Sequence, residues 1–352
     1  MPTKLAPPPP VAPETWCELF AAAAAFAASK PWETIYDCEV VGLTDPVTGE
    51  TRIGCVLGNA GQVFGAVFYR RPAGLRWILS VLQEAPDEPD LASAEGIDCL
   101  KLEFMSKREL TQEDLKVLKT AGFKAAGRGA VWPQFRSAEP GWHPWFINQA
   151  EAEQFLADLP RLTAFCGLRR AQPDLFAGRA LGEIPFLPSP LPDRLLRPDD
   201  LDWHPLIPPP SSDLAPFQAT DEQITQLRAL PPVPSAAYEF ECTLLPGGSF
   251  LENGRPCYGR VSLLVEHRRG LVLGCEVSSG AVAPGESAGR GLVKALLGNG
   301  FLPGKLLIRG VRLEPVLAPL CATVGIQLKP AVRLPALEEA TASLSEHMRA
   351  SR

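Results

Sequence analysis

Paired metal-ligand spacing is missing from this chain. Its nine cysteines lie fifteen or more residues apart, so no CxxC signals a zinc knuckle or a thioredoxin-like pair. His143, His204, His267 and His347 form no HExxH or other paired spacing. No metal ligand set and no cofactor is therefore expected. An odd number of scattered thiols fits a reduced, cytoplasmic chain. There is no GxSxG, and no GxGxxG follows a strand-like run, which removes the nucleophile elbow and the dinucleotide fingerprint. A basic excess is missing too: the net charge of -6 argues against a dedicated nucleic-acid binder. Lysine is scarce beside plentiful Ala, Leu, Pro, Gly and Arg, a balance that hints at a GC-rich bacterial genome.

Apolar residues, at 46% of 352, suffice for about two cores. The run "LFAAAAAFAA", Leu19 to Ala28, is too short to span a bilayer, and prolines and Glu14 and Glu18 precede it instead of a basic leader region. Thr15 and Glu18 have capping-box spacing, so a helix over about 15–29 is expected, and no membrane association.

Three regions follow from the patterning. Residues 14–168 read as an α+β domain: an antiparallel sheet with helices packed on one face. Strands are expected near 36–44, 51–57 and 62–69, split by "DPVTGE" and "GNAG". A helix near 73–83, a strand from "GIDCLKLEF", a helix over "TQEDLKVLKTAGF" capped by Thr111 and Asp114, and a helix over about 149–165 complete it. The acidic stretch "EAPDEPDLASAEG" fits no calcium-loop spacing and reads as a solvated loop. Residues 169–235 read as a Pro-rich linker, with fourteen prolines between Pro173 and Pro234. One helix interrupts it at "TDEQITQLRAL", with Thr220 and Gln223 as its capping box. Residues 236–350 read as an α/β domain: a strand with Tyr238, Phe240, Cys242 and Leu244 on one face, a hairpin turning at "HRRG", then helix, strand, helix, strand, helix.

The candidate site lies in "VWPQFRSAEPGWHPWF", Val131 to Phe146. Prolines beside Trp132, Trp142 and Trp145 stiffen this stretch, which either binds by stacking or pins a corner of its own domain. Trp132 continues a strand and Trp145 leads into a helix, so both are expected to be buried. Trp142 stands beside the Pro140–Gly141 turn, so Trp142, His143 and the charged Arg136 are the candidate binding surface.

"KPWETIYD", "VLGNAGQVFGAVFYRRPAGL", "GRGAVWPQFRSAEPGWHPWF" and "GRPCYGRVSLLVEHRRGLVLGCEV" together resemble a bacterial family of two-part proteins, both halves of which are domains of unknown function. That resemblance implies no activity, ligand or catalytic residue. The element order of residues 236–350 is also similar to the ribonuclease H-like fold of integrases, whose chemistry needs two or three carboxylates converging on a divalent metal. Here the last aspartate is Asp221. The first acid would have to be Glu266, and Arg309, Gly310 and Val311 stand where the second is required. A catalytically silent relative is expected, and the test is whether Glu241, Glu266 and Glu276 meet. "GAVAPGES", Gly280 to Ser287, has the G-x4-G spacing of a phosphate loop, but Glu286 replaces its lysine, so Ser287 is expected as a helix N-cap instead.

The expected function is a non-catalytic cytoplasmic protein that binds a protein or small-molecule partner. The alternative is a nucleic-acid-associated protein on a degenerate integrase-like domain, since Pro231 to Arg352 carries 13 Lys+Arg against 10 Glu. A third reading is an enzyme whose site is assembled from distant residues.

Overall fold

A computed structural model describes residues 5–82, 97–124, 131–180, 182–207, 209, 214–310 and 312–350. The acidic stretch, Glu84 to Gly96, lies outside the described residues. The chain forms two compact units, one of residues 6–140 and 144–209, the other chiefly of 210–352 together with Gly141–His143.

The first unit is built on a seven-stranded sheet: β1 (Val41–Thr44), β2 (Thr51–Leu57), β3 (Gly65–Tyr69), β4 (Cys99–Met105), β5 (Trp132–Ala138), β6 (Glu183–Leu187) and β7 (Asp202–Pro205), in the order β5-β4-β3-β2-β1-β6-β7. β1 to β5 form the expected antiparallel meander. Its first turn is made by Asp45, whose Oδ1 accepts from the Val47 and Thr48 amides at 2.9 and 3.0 Å. Helices α1 (Pro13–Ala28) and α4 (Gln149–Ala171) supply Phe20, Phe26, Phe155 and Phe165 to the core over Val41, Leu43, Val56, Phe68, Leu100 and Leu102. α3 (Gln112–Thr120) adds Leu118 to the same core and carries the expected Thr111–Asp114 capping box.

Four expectations are corrected. Helices do not share one face: α2 (Arg71–Leu82) packs Ile78 with Val40, Ile53, Cys55 and Ile184, a cluster apart from that under α1 and α4. The cause is visible in β2, where "IGCV" is buried at every position, so both faces of the strand need cover. α1 begins at Pro13 without a side-chain cap, because proline suits the first helical position. Thr15 is instead held by Gln149, whose Nε2 donates to Thr15 Oγ1 at 3.1 Å while its Oε1 accepts from the Ala12 amide at 2.9 Å. α4 runs past 168 to Ala171. Finally, the expected spacer supplies two strands: β6 lies parallel to β1, with Leu43 opposite Leu187, and β7 pairs antiparallel with β6. The short apolar run "EIPFL" suffices for β6, and the mostly exposed "DWHP" forms the edge strand β7, where a missing proline donor costs least.

The second unit holds α5 (Asp221–Arg228), β8 (Pro232–Glu252), β9 (Arg255–Glu266), β10 (Val272–Ser279), α6 (Pro284–Asn299), β11 (Leu302–Arg309), α7 (Glu314–Val324), β12 (Gln327–Ala331) and α8 (Pro335–Ala350). The sheet order is β10-β9-β8-β11-β12. β8, β9 and β10 are antiparallel; β11 is parallel to β8 and to β12. α5 carries its Thr220–Gln223 capping box as expected. β8 and β9 are joined at Asn253–Gly254, both at positive φ (52° and 79°), the Asn-Gly pair that favours a tight hairpin turn. α6 and α7 pack over Phe240, Leu264 and Ile308, and Leu334, just before α8, and Leu337 within it pack against Leu245, Val261, Leu263 and Val265. α6 starts after Ala283 at Pro284, so Ser287 is not its N-cap but a buried residue of its first turn.

Candidate functional site

The tryptophan stretch divides between the two units, and so do its candidate residues. Arg136 belongs to the first. Its guanidinium grips Asp114 through two bonds, Nη1 to Oδ1 at 2.9 Å and Nη2 to Oδ2 at 2.8 Å, and lies 4.5 Å from the centre of the Phe146 ring. Burial alone would raise the Asp114 carboxyl, but hydrogen bonds from Arg136 and Thr111 hold it below its ordinary value. This cation is committed to a carboxylate and a ring, leaving little of it for an anion.

Trp142 and His143 belong to the second unit. Gly141–His143 runs as a short strand beside the start of β9: Tyr258 N–H donates to Gly141 O at 2.9 Å and His143 N–H to Pro256 O at 3.2 Å, with Trp142 bridged to Cys257. The Arg255 guanidinium covers the Trp142 ring at 4.6 Å, and the His143 imidazole stacks on Tyr258 at 4.0 Å. Burial pulls His143 below its ordinary titration range. Gly141 is at φ +80°, and a Cβ there would come within 2.1 Å of the Gly280 carbonyl oxygen, so only glycine fits.

The expected split among the tryptophans is not what the side chains do. Trp132, Trp142 and Trp145 are all half-buried. Trp132 packs edge-on to Phe123 at 5.9 Å with Lys107 above it, and Trp145 exchanges two backbone hydrogen bonds of 2.8 Å with Ser137.

The three glutamates do not meet. Side chains alternate across a strand, and the register fixes their faces. Glu276 stands opposite Ser262, which stands opposite Cys242 in the core beneath α6. Glu266, opposite Tyr238, lies on that same face. Glu241 is opposite Leu263, in the core beneath α8, and so points the other way. Each carboxylate also has its own partner. Glu241 pairs with Arg309 at 3.1 Å, Glu276 with Lys294, and Glu266 accepts from the Arg268 and Arg269 amides at 3.1 and 2.6 Å. Arg309 thus neutralises an acid at the place where the integrase plan requires another; Val311 lies outside the described residues. In the phosphate-loop lookalike, Glu286 pairs with Arg290. Among the described residues no group of three His, Cys, Asp or Glu could hold a metal ion, and no helix is long and apolar enough to cross a membrane.

Sequence reasoning missed an apolar groove in the first unit. It measures about 480 Å³ and runs between α1 and α4 under the segment after β6. Ala22 and Ala25 of α1 face Ala164 and Gly167 of α4, and Leu191 and Leu195 form its lip. Leu195 is 90% exposed. Arg194 at the lip is held by Asp200 through two hydrogen bonds, and these hold the Asp200 carboxyl down at about 2. The available signal was the alanine run of α1, whose small side chains line a groove as readily as they fill a helix face.

The chain is a two-part protein of two domains of unknown function: residues 16–184 match DUF7309 and residues 223–345 match DUF6930. No curated protein and no solved structure matches it.

Proposed function

We propose that this is a cytoplasmic, non-catalytic binding protein whose N-terminal domain takes an apolar ligand, or the apolar side chains of a partner, between α1 and α4. The observation that carries this reading is the groove with Leu195 standing almost wholly in solvent at its lip. A water-exposed leucine beside a row of alanine and glycine leaves apolar area that an occupant would cover, at about 25 cal/mol per Å² removed from water. The paired carboxylates described above favour binding over acid–base chemistry. Arg136, Trp142 and His143 serve, in this reading, as packing residues: each is already stacked or bridged within its own unit.

The test is titration of the full chain with a naphthalene-sulfonate dye that fluoresces in apolar surroundings. A Cβ built at Gly167 meets nothing within 4 Å, so Gly167→Trp can fill the groove without disturbing the core. Saturable dye binding that Gly167→Trp abolishes, at unchanged melting temperature, is expected. Equal binding by both chains would remove the groove from the proposal.

The strand order β10-β9-β8-β11-β12, with its antiparallel hairpins followed by parallel strands, supports the second reading, a silent integrase-like domain associated with nucleic acid. Its charge excess of three (13 − 10) is small, so weak binding is expected. Salt-sensitive, submicromolar binding of duplex DNA by the full chain would promote it.

A further inference from the structure

Cys38 and Cys55 stand together although seventeen positions separate them in sequence. Cys55 lies in β2, 3% exposed, and its thiol donates to the Asp37 carbonyl oxygen at 3.1 Å. That carbonyl carbon is bonded to the backbone nitrogen of Cys38. The Cys38 Cα therefore lies within about 6 Å of the Cys55 sulfur. Burial chiefly raises the Cys55 thiol, and the nearby Cys38 adds to the rise. Cys38 itself is exposed, in the tight turn where the Glu39 amide donates to Tyr36 O at 2.9 Å. A disulfide needs Cα atoms about 4.4–6.8 Å apart, which a small movement of this surface turn supplies. We propose that Cys38 and Cys55 are a thiol pair that closes to a reversible disulfide, with Cys38 as the attacking and Cys55 as the resolving sulfur.

The roles follow from exposure. A small disulfide such as oxidised glutathione can reach Cys38 but not Cys55. The Cys38 thiolate attacks one glutathione sulfur; the S–S bond breaks, and one glutathione leaves with the electron pair and takes up a proton. Cys55 then loses its proton to solvent and attacks the Cys38 sulfur, displacing the second glutathione. Two protein thiols are oxidised and one small disulfide is reduced to two thiols. Burial pushes the Cys55 thiol up to about 12, so the second step is the slow one and the mixed disulfide on Cys38 accumulates first. Closure ties the turn before β1 to the middle of β2, and thereby constrains the entry to the strand that carries β6.

The full chain would be incubated with oxidised glutathione, alkylated and mapped by mass spectrometry, with its melting temperature followed in parallel. A linked Cys38–Cys55 peptide is expected, together with a rise in melting temperature of about 5 °C that a reducing dithiol reverses. Cys38→Ser, at an exposed turn position where folding is not at stake, should show neither. Cys55→Ala should stop at the glutathionyl adduct on Cys38. The proposal is overturned if the unaltered chain also stops at that adduct, or if Cys38 links to a different cysteine.

Discussion

Asp158 gives the sharpest test of what holds the first unit together. It is fully buried in the middle of α4, and its carboxylate accepts two hydrogen bonds from the buried Arg52 of β2, from Nε at 2.6 Å and Nη2 at 3.0 Å. Arg161, one turn further along α4, stands 3.5 Å from the same carboxylate and donates to Leu187 O and, at 3.3 Å, to Thr44 O. One carboxylate therefore balances two buried guanidiniums that tie α4 to β1, β2 and β6. Burial alone would lower the Arg52 guanidinium, but Asp158 raises it above its ordinary value; burial pulls Arg161 down. Asp158→Asn keeps the shape and removes the charge. Two cations would remain out of water with only the partly exposed Asp45 opposite Arg52. Removing one partner of a buried pair costs about 3–5 kcal/mol. In a unit of this size that is a fall of about 10 °C in melting temperature. Urea unfolding of the full chain, followed by tryptophan fluorescence, measures it. Asp45→Asn should cost under about 1 kcal/mol, as the group is partly exposed and an amide oxygen can still accept the Val47 and Thr48 bonds. A cost for Asp158→Asn as small as that for Asp45→Asn would refute the assignment of Asp158 as the charge centre of the unit.

Two further outcomes are expected. Trp132→Ala, Trp142→Ala and Trp145→Ala should each cost about 2 kcal/mol, roughly half the figure for a fully buried ring, because all three are half-buried; melts that leave Trp142→Ala neutral would return that ring to the candidate binding surface. Asp114 titrates below its unfolded value, so its contribution to stability is full above that unfolded value and is lost as pH falls through the folded one; urea midpoints between about pH 5 and pH 2 should therefore fall less steeply for Asp114→Asn than for the unaltered chain.

The fold was legible where local chemistry is decisive. Turn residues at "DPVTGE" and "HRRG" placed hairpins, and the Thr111 and Thr220 capping boxes placed helix starts, because each device is complete within a few residues. What escaped depends on partners distant in sequence. The Pro-rich stretch reads as a spacer when its prolines are counted, yet β6 needs only two residue pairs with β1 to join the sheet. The second helical layer over β2 was also legible in principle: "IGCV" lacks the alternation of a half-exposed strand.

Charged residues were the least legible, for the same reason. Arg52 interrupts a β-branched run, and Asp158 and Arg161 fall on the apolar face of α4, where periodicity calls for hydrophobic residues. A charge at a core position implies a partner, because leaving it unpaired in the interior takes a large share of a domain's stability margin. Sequence shows that a partner must exist without showing which. Arg136 illustrates the consequence. As the cation of a tryptophan-rich stretch it reads as part of a binding surface, whereas Asp114, twenty-two residues earlier, had already claimed it through the cap of α3. The same reasoning separates the glutamates of the second unit. Counting acids left open whether Glu241, Glu266 and Glu276 converge, but one register, Glu241 opposite Leu263, puts Glu241 on the face away from the other two. A single-residue slip between β8 and β9 would reverse that assignment, and it would also turn Phe240 out of the α6 core and bring Glu239, now fully buried on the α8 face, into it. The burial of Phe240 beneath α6 and the bond from the Leu337 amide to Glu239 at 2.8 Å both hold the register where it is. The separation of the acids is thus enforced by the same contacts that hold α6 and α8 on the sheet.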